Sequence, residues 1–548
     1  MALDAQKMEN RVRKLLVRLP NWVGDAMMAL PALSVLRERF RETEITFLGK
    51  GAVLDLFREN RIADRFMEIK GPSRSFIAKW ELVRKLKSER YEMAILLQNA
   101  FEAAFIAFLA AIPERIGYKR DGRGFLLSRA VNPPENRGMH QTDYYLNLLS
   151  GIEGIRPLSR APALVISREE VRGADDRLRE LGVDLGRPVV GVHAGAAYGS
   201  AKRWESERFS RLCDRIVREK NAQILLFGSK EEKPIVDEIK REMEEKAINL
   251  AGQTTLRELI ALISSCRLFL SNDSGPMHIA SALNVPLVAI FGPTDPRETA
   301  PAAGPFFLVR KKTVCSPCLL RECPIDHRCM TAISVDEVLE RVHLGLVPAE
   351  GPPVPAVILD RDGTLNPDTG YISSVEDFRL FAESPEAVRI FNQAGLPVYI
   401  VTNQSGVARG YFSEERLREI HRKLETLLSE QQARLSGIYY CPHHPDAGCD
   451  CRKPGTGLLR RILKRQPLDF HRTYVVGDKL SDLLLAEKVN AKSVLVLTGK
   501  GEETRRTIEG RNGILPPDHI ADNILLAARW IREDIQAEAL QAARKGRS

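Results

Sequence analysis

The sequence predicts an α/β fold made of three successive series of strand–helix units with parallel sheets. Apolar strands alternate with amphipathic helical segments along the chain, for example KLLVRL followed by AMMALPALSVLRERF. Such alternation indicates βαβ units. The strands are nearly continuous apolar runs, as expected when helices cover both faces of a sheet.

Composition supports a soluble globular protein of several domains. The chain has 548 residues, of which 44% are hydrophobic and 28% are charged; these fractions exclude a disordered chain. The net charge of +9 suits acidic or phosphorylated substrates, or an anionic membrane surface. It does not indicate a nucleic-acid-binding protein.

Hydropathy and cysteine usage predict a cytoplasmic protein. The most apolar stretch, residues 101–112, is far shorter than the roughly 20 residues that span a bilayer. The N-terminus carries no apolar segment typical of a secretory signal. Seven of the nine cysteines lie in two clusters, which favours metal sites in a reducing compartment over disulfides.

Two stretches of low order divide the chain. They are GIEGIRPLSRAPA at residues 151–163 and PAEGPPVP at residues 348–355, and the second predicts a stiff, extended linker. We expect domains at 1–165, 166–347 and 356–520, joined by the linker at 348–355. A basic tail at 521–548 is predicted to be a solvated helix packed on the last domain.

The third series opens with VILDRDGTLN, where a strand delivers Asp360 and Asp362 to its carboxyl end. Ligands in open α/β sheets bind beyond these strand ends. One carboxylate there can attack phosphorus while the second protonates the leaving oxygen. Gly363 allows the tight turn that follows. By itself the motif is equally compatible with a surface turn.

Further strand ends and a loop carry complementary groups. Their side chains, which can bind phosphoryl oxygens, offset charge or hold Mg²⁺, are Thr402, Asn403, Arg452, Lys453 and Asp478. Asp482 follows one helical turn after Asp478. It is either a carboxylate favoured by the helix N-terminus or a group at the metal.

The segment CPHHPDAGCDCRKP predicts a Zn²⁺ site directly before Arg452 and Lys453. Its Cys-x-His and Cys-x-Cys pairs suit closed tetrahedral Cys₃His ligation. The ligands would be Cys441, His443, Cys449 and Cys451. The alternatives are free thiols with a solvated His443, or His444 in the place of His443.

Over residues 354–510 this set resembles the haloacid dehalogenase (HAD) superfamily of aspartate-nucleophile phosphatases. The resemblance implies that Asp360 is the nucleophile, forming an aspartyl-phosphate, and that Asp362 is the general acid/base. It also implies Mg²⁺ held by Asp360, the carbonyl of Asp362 and Asp478. Lys453 would stabilise the phosphoryl group.

The zinc loop is similar to that of a narrower group, which includes histidinol-phosphate phosphatases and D-glycero-D-manno-heptose 1,7-bisphosphate phosphatases. The segments NPDTGYISSVEDF and TNQSGVARGYFSEE resemble the heptose enzymes. Arg409 lies in the second of these segments and is a candidate for binding the substrate. The cations of the zinc loop, especially Arg452, are the candidates for binding the phosphate that does not react. Action on histidinol phosphate or another small phosphomonoester is the alternative.

In the first series the strand ends in RLPNWVGDAMMALPAL, with Asp25 at the strand-to-helix turn. This carboxylate is either a helix N-cap or a general base facing a cleft.

In the second series, RLFLSNDSGPMHIASALNVPLVAIFGPTDP predicts a helix that begins near Pro276. Free N–H groups at a helix N-terminus suit a diphosphate, and Lys202 in an upstream loop could neutralise the same group. Similar turns also occur in folds that bind no nucleotide.

Together, residues 13–345 resemble the ADP-heptose:lipopolysaccharide heptosyltransferases, an inverting family with the GT-B fold of two Rossmann-like domains; the run WVGDAMMALP is similar to heptosyltransferase II. The resemblance implies that Asp25 deprotonates the acceptor hydroxyl, without a metal. Lys202 would neutralise the donor phosphates. The other implied donor-site residues are Asp273, Ser274, Gly275, His278, and Glu231 or Glu232 on the nucleoside side.

A second cysteine cluster, CSPCLLRECPIDHRCM, has the spacing C-x₂-C-x₄-C-x₅-C. It contains Cys315, Cys318, Cys323 and Cys329, with His327 inside. Four thiols in one loop could hold zinc, or they could have no metal role.

The sequence thus predicts a bifunctional enzyme of lipopolysaccharide inner-core assembly with Mg²⁺ and Zn²⁺ as cofactors. One half transfers L-glycero-D-manno-heptose from ADP-heptose to a heptosyl-Kdo₂-lipid A acceptor, and the other removes the 7-phosphate of heptose 1,7-bisphosphate. Alternatively, the GT-B half is a non-catalytic module that docks on a membrane or partner.

Basic residues could steer the protein to the inner membrane face, giving peripheral association, or could simply form solvated surfaces. They are Arg11, Arg13, Lys14, Arg18, Arg310, Lys311 and Lys312.

Overall fold

A computed structural model describes residues 12–70, 76–134, 138–152, 162–348, 351, 353–509 and 516–545. Four of the sequence predictions concern residues outside these ranges. Arg11 lies outside, as do parts of the low-order stretch (153–161), of the proline-rich linker (349, 350 and 352) and of the basic tail (546–548).

The first sheet is parallel, with strand order β3-β2-β1-β4-β5-β6. Its strands are β1 (Lys14–Arg18), β2 (Glu44–Gly49), β3 (Arg65–Glu68), β4 (Met93–Leu96), β5 (Glu114–Tyr118) and β6 (Arg129–Val131). Its helices are α1 (Val23–Arg39), α2 (Gly51–Asp55), α3 (Phe76–Glu89), α4 (Phe101–Leu109) and α5 (Gln141–Leu148).

The second sheet is also parallel, with the order β12-β11-β10-β7-β8-β9. Its strands are β7 (Val189–His193), β8 (Gln223–Phe227), β9 (Ala247–Asn249), β10 (Leu268–Asn272), β11 (Leu287–Phe291) and β12 (Phe306–Arg310). The helices of this part are α6 (Arg168–Glu180), α7 (Ser206–Lys220), α8 (Lys233–Glu242), α9 (Leu256–Ser264), α10 (Gly275–Ala282), α11 (Pro296–Thr299), α12 (Arg328–Thr331) and α13 (Val335–Gly345).

The third sheet has the order β15-β14-β13-β16-β17-β18. Its strands are β13 (Val357–Leu359), β14 (Val398–Asn403), β15 (Gly437–Cys441), β16 (Tyr474–Gly477), β17 (Lys492–Val496) and β18 (His519–Ala521). Its helices are α14 (Ser384–Gln393), α15 (Glu414–Ser429), α16 (Gly457–Leu463), α17 (Leu480–Val489), α18 (Gly501–Glu509) and α19 (Ile524–Lys545).

All three sheets therefore share one topology, in which the first and fourth strands of each series are central neighbours. The strand order reverses between these two strands, and the helices that follow them lie on opposite faces. The crevice left at their carboxyl ends is where open α/β sheets bind ligands. The predicted α/β fold class with parallel sheets is confirmed.

The chain divides into two compact units between Leu339 and Glu340. One continuous apolar core runs through the first two sheets in the first unit, and the third sheet has its own core. Within that core lie Ile524, Ala527, Ala528 and Ile531. The first turns of α19 are thus an integral layer of the third sheet's fold, not only a helix on its surface.

Among the described residues, no helix is both long enough and apolar enough to cross a lipid bilayer.

Candidate active sites

Two helix N-termini face each other in the first unit, that of α1 after β1 and that of α10 after β10. Glycines permit this approach, because a Cβ on Gly275 would lie 3.1 Å from the Val23 side chain. A Cβ on Gly24 would lie 3.3 Å from Cδ2 of His278. The positive ends of two helix dipoles therefore point at one space, which suits an anionic ligand.

Asp25 lies in the first turn of α1, and Trp22 occupies the N-cap position without a capping side chain. The N-cap alternative for Asp25 is therefore wrong. Burial raises the pKa of Asp25, the charge of Lys202 lowers it, and the charge of Asp273 raises it again. A carboxylate with a raised pKa beside a cavity has the properties of a general base.

Lys202 forms a buried ion pair with Asp273, since its Nζ lies 2.6 Å from Oδ2 of that carboxylate. The same oxygen accepts a hydrogen bond from Oγ1 of Thr294 at 2.7 Å. The ammonium also lies over the Tyr198 ring, 4.8 Å from its centroid. Lys202 is thereby held in place before any substrate binds.

A chain of hydrogen bonds runs through His193, which sequence reasoning missed. Its Nδ1 lies 3.2 Å from Oγ of Ser274, and its Nε2 lies 3.3 Å from Oε2 of Glu232. Burial would raise the pKa of Glu232, but His193 and the Ser229 backbone N–H lower it to about 2. His193 ends β7, so its place at a central strand end was the available signal.

These groups line one cavity of about 640 Å³, together with His278, Leu319 and Arg321. Burial lowers the pKa of His278 to about 4, which leaves the imidazole neutral near neutral pH. Glu232 lies in the cavity wall whereas Glu231 is exposed, so of the two alternatives the structure favours Glu232.

In the second unit, Asp360 follows β13 and is buried among cations. Nζ of Lys453 lies 2.9 Å from its Oδ1 and 2.6 Å from Oδ1 of Asp482. Burial would raise the pKa of Asp360, but Lys453 and Lys479 hold it below its ordinary value. These cations favour the ionised form of Asp360, which a nucleophilic role at phosphorus would require.

The contacts of Asp482 agree with both interpretations given above, a carboxylate at a helix N-terminus and a group at the metal. Its Oδ2 accepts a hydrogen bond from the Lys479 backbone N–H at 3.1 Å, at the N-terminus of α17. One of its carboxylate oxygens also belongs to a group of carboxylate atoms from Asp360, Asp478 and Asp482 that lie within 4.8 Å of one another.

The oxygens predicted to hold Mg²⁺ surround one ammonium group in this structure. Nζ of Lys479 lies 3.5 Å from Oδ2 of Asp360, 2.9 Å from the carbonyl of Asp362 and 3.5 Å from Oδ1 of Asp478. Burial and the charge of Asp360 raise the pKa of Asp478 to about 7. This crowding of carboxylates fits a divalent cation, for which hard oxygens are the preferred ligands.

Close backbone approach explains the glycine of the DRDGT motif. Gly363 has a φ of +89°, and a Cβ there would lie 2.1 Å from Oδ2 of Asp478. Any other residue would therefore displace a predicted metal ligand.

Asp362 is held by three neighbours, of which the sequence analysis named none. Nη2 of Arg361 lies 2.8 Å from both carboxylate oxygens. Nε2 of Gln404 donates to Oδ2 at 2.8 Å, and Nδ2 of Asn366 donates to Oδ1 at 3.0 Å. Nη1 of Arg361 donates a hydrogen bond to Nε2 of His421 at 3.2 Å. Burial lowers the pKa of His421 to about 3.

The other residues predicted to contact phosphate lie in different environments. Both ends of the Asn403 amide bond the backbone of Lys453, so this side chain positions Lys453. Thr402 is buried and accepts from Gln404. Nη1 of Arg452 is buried with no hydrogen-bond partner among the described residues, whereas Arg409 is exposed.

The predicted zinc ligands Cys441, His443, Cys449 and Cys451 form a compact cluster. Their sulfur–sulfur distances are 3.3, 3.5 and 3.6 Å, and Nδ1 of His443 lies 3.1 and 3.6 Å from two of the sulfurs. A Zn–S bond of about 2.3 Å gives tetrahedral edges of about 3.7 Å, so the set fits zinc. His444 is half-buried and instead caps the short 3₁₀ turn Pro445–Ala447.

The other cysteine cluster does not form such a set. Among the described residues, no three ligand atoms of the Cys315–Cys329 loop lie within 4.8 Å of one another. The loop instead supports the segment that carries Lys202. The Leu319 carbonyl accepts from the Tyr198 hydroxyl at 2.7 Å, and His327 lies 2.8 Å from the Ala201 carbonyl.

Comparison with protein families gives separate matches for the two units. The model described as glycosyltransferase family 9 (heptosyltransferase) matches residues 79–328. A HAD-hydrolase-like model matches residues 450–527, and a polynucleotide kinase 3 phosphatase model matches residues 357–486.

Individual proteins show the same division. The chain is 32% identical over 309 residues to lipooligosaccharide heptosyltransferase 2 of Haemophilus ducreyi, covering 54% of this chain and 88% of the relative. It is 42% identical over 174 residues to D-glycero-beta-D-manno-heptose-1,7-bisphosphate 7-phosphatase of Pseudomonas putida, covering 32% of this chain and 97% of the relative. The structure of E. coli ADP-heptose lps heptosyltransferase II matches with a TM-score of 0.54 and 27% identity, covering 61% of this chain and 98% of that one.

Proposed function

Because the chain belongs to the glycosyltransferase family 9 heptosyltransferases through its first unit and to the HAD-type heptose-bisphosphate phosphatases through its second, we propose that it uses two separate clefts for two reactions. It is a bifunctional enzyme of lipopolysaccharide core biosynthesis. The domain boundaries predicted from the sequence are part of this proposal.

In the first cleft, the hydroxyl oxygen of the acceptor attacks C1 of the heptose with inversion, and Asp25 takes the proton of that hydroxyl. The single observation that carries this role is the placement of Asp25 in one cavity with Lys202, Asp273 and Ser274. Lys202 and the backbone N–H groups at the start of α10 offset the charge of the departing ADP. His193 orients Ser274 and Glu232, and Glu232 faces the nucleoside side.

In the second cleft, Asp360 attacks the 7-phosphorus of the heptose bisphosphate and Asp362 protonates the leaving oxygen. The buried contacts of Asp360 with Lys453 and Lys479 support this assignment. Mg²⁺ would be held by Asp360, the carbonyl of Asp362 and Asp478, and would offset phosphoryl charge. Arg452, with its unpartnered Nη1, is proposed to bind the 1-phosphate.

The proposed acceptor is a heptosyl-Kdo₂-lipid A, which places the transfer reaction at the inner face of the membrane. The donor is ADP-heptose, and the phosphatase substrate is D-glycero-D-manno-heptose 1,7-bisphosphate. We extend to this chain the β-anomer that the phosphatase relatives carry in their name.

A substrate panel on the full-length chain tests this proposal. We expect heptose transfer from ADP-heptose to heptosyl-Kdo₂-lipid A, and phosphate release from the β-bisphosphate with kcat/KM about 100-fold above that for histidinol phosphate. Equal or faster turnover of histidinol phosphate would favour the other phosphatase of this zinc-loop group. No calorimetric binding of an ADP-sugar would instead indicate a non-catalytic first unit.

Replacing His193 tests its positioning role. We expect His193→Ala to raise the KM for ADP-heptose about tenfold with little change in kcat, because hydrogen bonds to Ser274 and Glu232 are lost at the donor site. His193→Gln, which retains a donor and an acceptor, should recover most of the affinity. A parallel fall in kcat and thermal stability in both variants would show a general structural role instead.

Removing one thiol tests the zinc site. Wild-type protein is expected to contain about one zinc ion per chain, and Cys449→Ser to contain much less. Since Cys451 lies two residues before Lys453, phosphatase activity and thermal stability of the second unit should fall together. Cys318→Ser, in the other cysteine loop, is the matched control. Unchanged zinc content in Cys449→Ser would contradict the assignment.

A further inference from the structure

An apolar surface on the first unit is unused by either reaction. We define the aromatic ridge as Phe76, Ile77 and Trp80 on α3, Phe101, Phe105 and Phe108 on α4, and Phe125 in the 3₁₀ turn Gly124–Leu126. The exposed fractions are 86% for Phe76, 74% for Ile77, 60% for Trp80 and 77% for Phe125. Clustered exposure of large apolar side chains on this scale marks an interaction site.

Contacts join the elements that carry the ridge. The rings of Phe101 and Phe105 stack with centroids 5.9 Å apart, and the Phe125 centroid lies 6.2 Å from that of Phe101. The two helices pack together, and Nζ of Lys79 joins them by lying 2.9 Å from Oε2 of Glu102 and 5.9 Å from the Phe76 ring centroid.

Positive charge flanks the rings. Residues 76–90 contain five basic and two acidic side chains, and one of the acidic ones, Glu89, is paired with Arg65 and Lys14. Lys87 lies three turns after Phe76 and two turns after Trp80, and Arg84 lies one turn after Trp80, along nearly the same helix face. The guanidinium of Arg115 in β5 lies 5.4 Å from the ring centroid of Phe108 on α4.

A cavity of about 850 Å³ lies beside the ridge, lined by residues of the same two helices. Its wall combines apolar side chains such as Leu82 and Ile106 with six basic residues and three acidic ones. The basic residues are Arg18, Lys50, Arg58, Lys70, Lys79 and Lys85. Apolar walls with an excess of cations match an anionic amphiphile, which carries hydrocarbon and phosphate together.

From the aromatic ridge, its basic flank and the adjoining amphipathic cavity, we propose that this face binds an anionic phospholipid surface. Aromatic rings with Lys and Arg beside them are the typical anchors of the membrane–water interface. A second copy of the chain fits less well, because a symmetric contact through the ridge would bring the basic residues of both copies together. This inference rests on the proposed function, whose lipid-linked acceptor lies at such a surface.

Co-sedimentation of the full-length chain with vesicles tests the proposal without any glycolipid acceptor. We expect binding to phosphatidylcholine vesicles containing about 30 mol % phosphatidylglycerol, and much weaker binding to phosphatidylcholine alone. The variant Phe76→Ser/Ile77→Ser/Trp80→Ser should bind at least about tenfold less. Arg84→Glu/Lys85→Glu/Lys87→Glu should also lose binding to the anionic vesicles.

The control variant is Leu181→Ser/Leu185→Ser/Ile520→Ser, which removes three exposed apolar side chains outside the ridge and should bind like wild type. All variants should keep the wild-type thermal unfolding of the first unit, which reports folding of the part that carries the ridge, and should retain phosphatase activity, which reports folding of the second unit. A blue shift of tryptophan fluorescence on vesicle binding should shrink in Trp80→Phe while sedimentation persists.

The proposal is overturned if the wild-type chain does not bind anionic vesicles, or if the variant Phe76→Ser/Ile77→Ser/Trp80→Ser co-sediments with them as well as the control variant does. A dimer in sedimentation velocity that the ridge variant dissociates, without vesicle binding, would assign the ridge to a second copy. If the wild-type chain binds anionic vesicles but transfers no heptose to a lipid acceptor, the proposed function is refuted and the vesicle-binding proposal is not.

Discussion

Asp360→Asn is expected to abolish phosphate release, lowering kcat by about 10,000-fold or more, because the amide cannot form the aspartyl-phosphate. The substitution is nearly isosteric, so the backbone hydrogen bond from Asp360 N to the Val476 carbonyl at 2.9 Å is retained. The measurement is release of inorganic phosphate from heptose 1,7-bisphosphate under single-turnover and steady-state conditions.

Heptose transfer by the same variant is the internal control. It uses the other unit and should stay at the wild-type rate. Asp362→Asn is a useful partner, because it keeps the nucleophile and removes the acid. It should lower turnover less than Asp360→Asn does for a substrate with a good leaving group, such as an aryl phosphate. Loss of both activities in folded Asp360→Asn protein would contradict two independent sites.

Asp25→Asn is expected to lower kcat for heptose transfer by about 100- to 10,000-fold, the contribution of a positioned general base. Affinity for ADP-heptose should change little in calorimetry, because the proposed donor contacts come from Lys202, Ser274 and Glu232. Phosphatase activity of the same chain should be unchanged. Transfer at the wild-type rate would exclude Asp25 as the base.

The pH profile of transfer provides a second measurement on Asp25. Burial raises the pKa of this carboxyl and the charge of Lys202 lowers it. The base works only when deprotonated, so the rate rises with pH through this pKa and is lost as pH falls below it. Lys202→Met removes the cation that lowers the pKa, and should therefore move the acidic limb of the profile to higher pH. A shift to lower pH would show that Asp25 is not the titrating group.

Both clefts follow from one topological fact. In each sheet the first and fourth strands are central neighbours, and the reacting groups follow those strands. Asp360 and Asp478 lie after β13 and β16, His193 is the last residue of β7, and Asp273 follows β10. The two proposed active sites therefore use the same geometry with different side chains, with Asp360 as the proposed nucleophile in one and helix N-termini as the proposed anion-binding groups in the other.

Sequence reasoning failed where function depends on contacts between segments. Arg361 and Gln404 lie inside recognised motifs, yet nothing local shows that both point at Asp362. Likewise Asn403 was predicted to contact phosphate, but packing turns its amide onto the backbone of Lys453. The Cys315–Cys329 spacing is compatible with zinc, but among the described residues no three ligand atoms of this loop lie within 4.8 Å of one another.

By itself the sequence determined the strand–helix order, the chemical groups at the strand ends and the compact Cys₃His loop, because each of these depends on residues that are close along the chain. Tertiary structure alone decided which face of α1 carries Asp25 toward Lys202, that His193 links Glu232 to Ser274, and that the rings of α3 and α4 form one exposed ridge. Those relations join residues tens to hundreds of positions apart. Their distances are fixed only when the helices pack on the sheets, which no local pattern of hydropathy or spacing specifies.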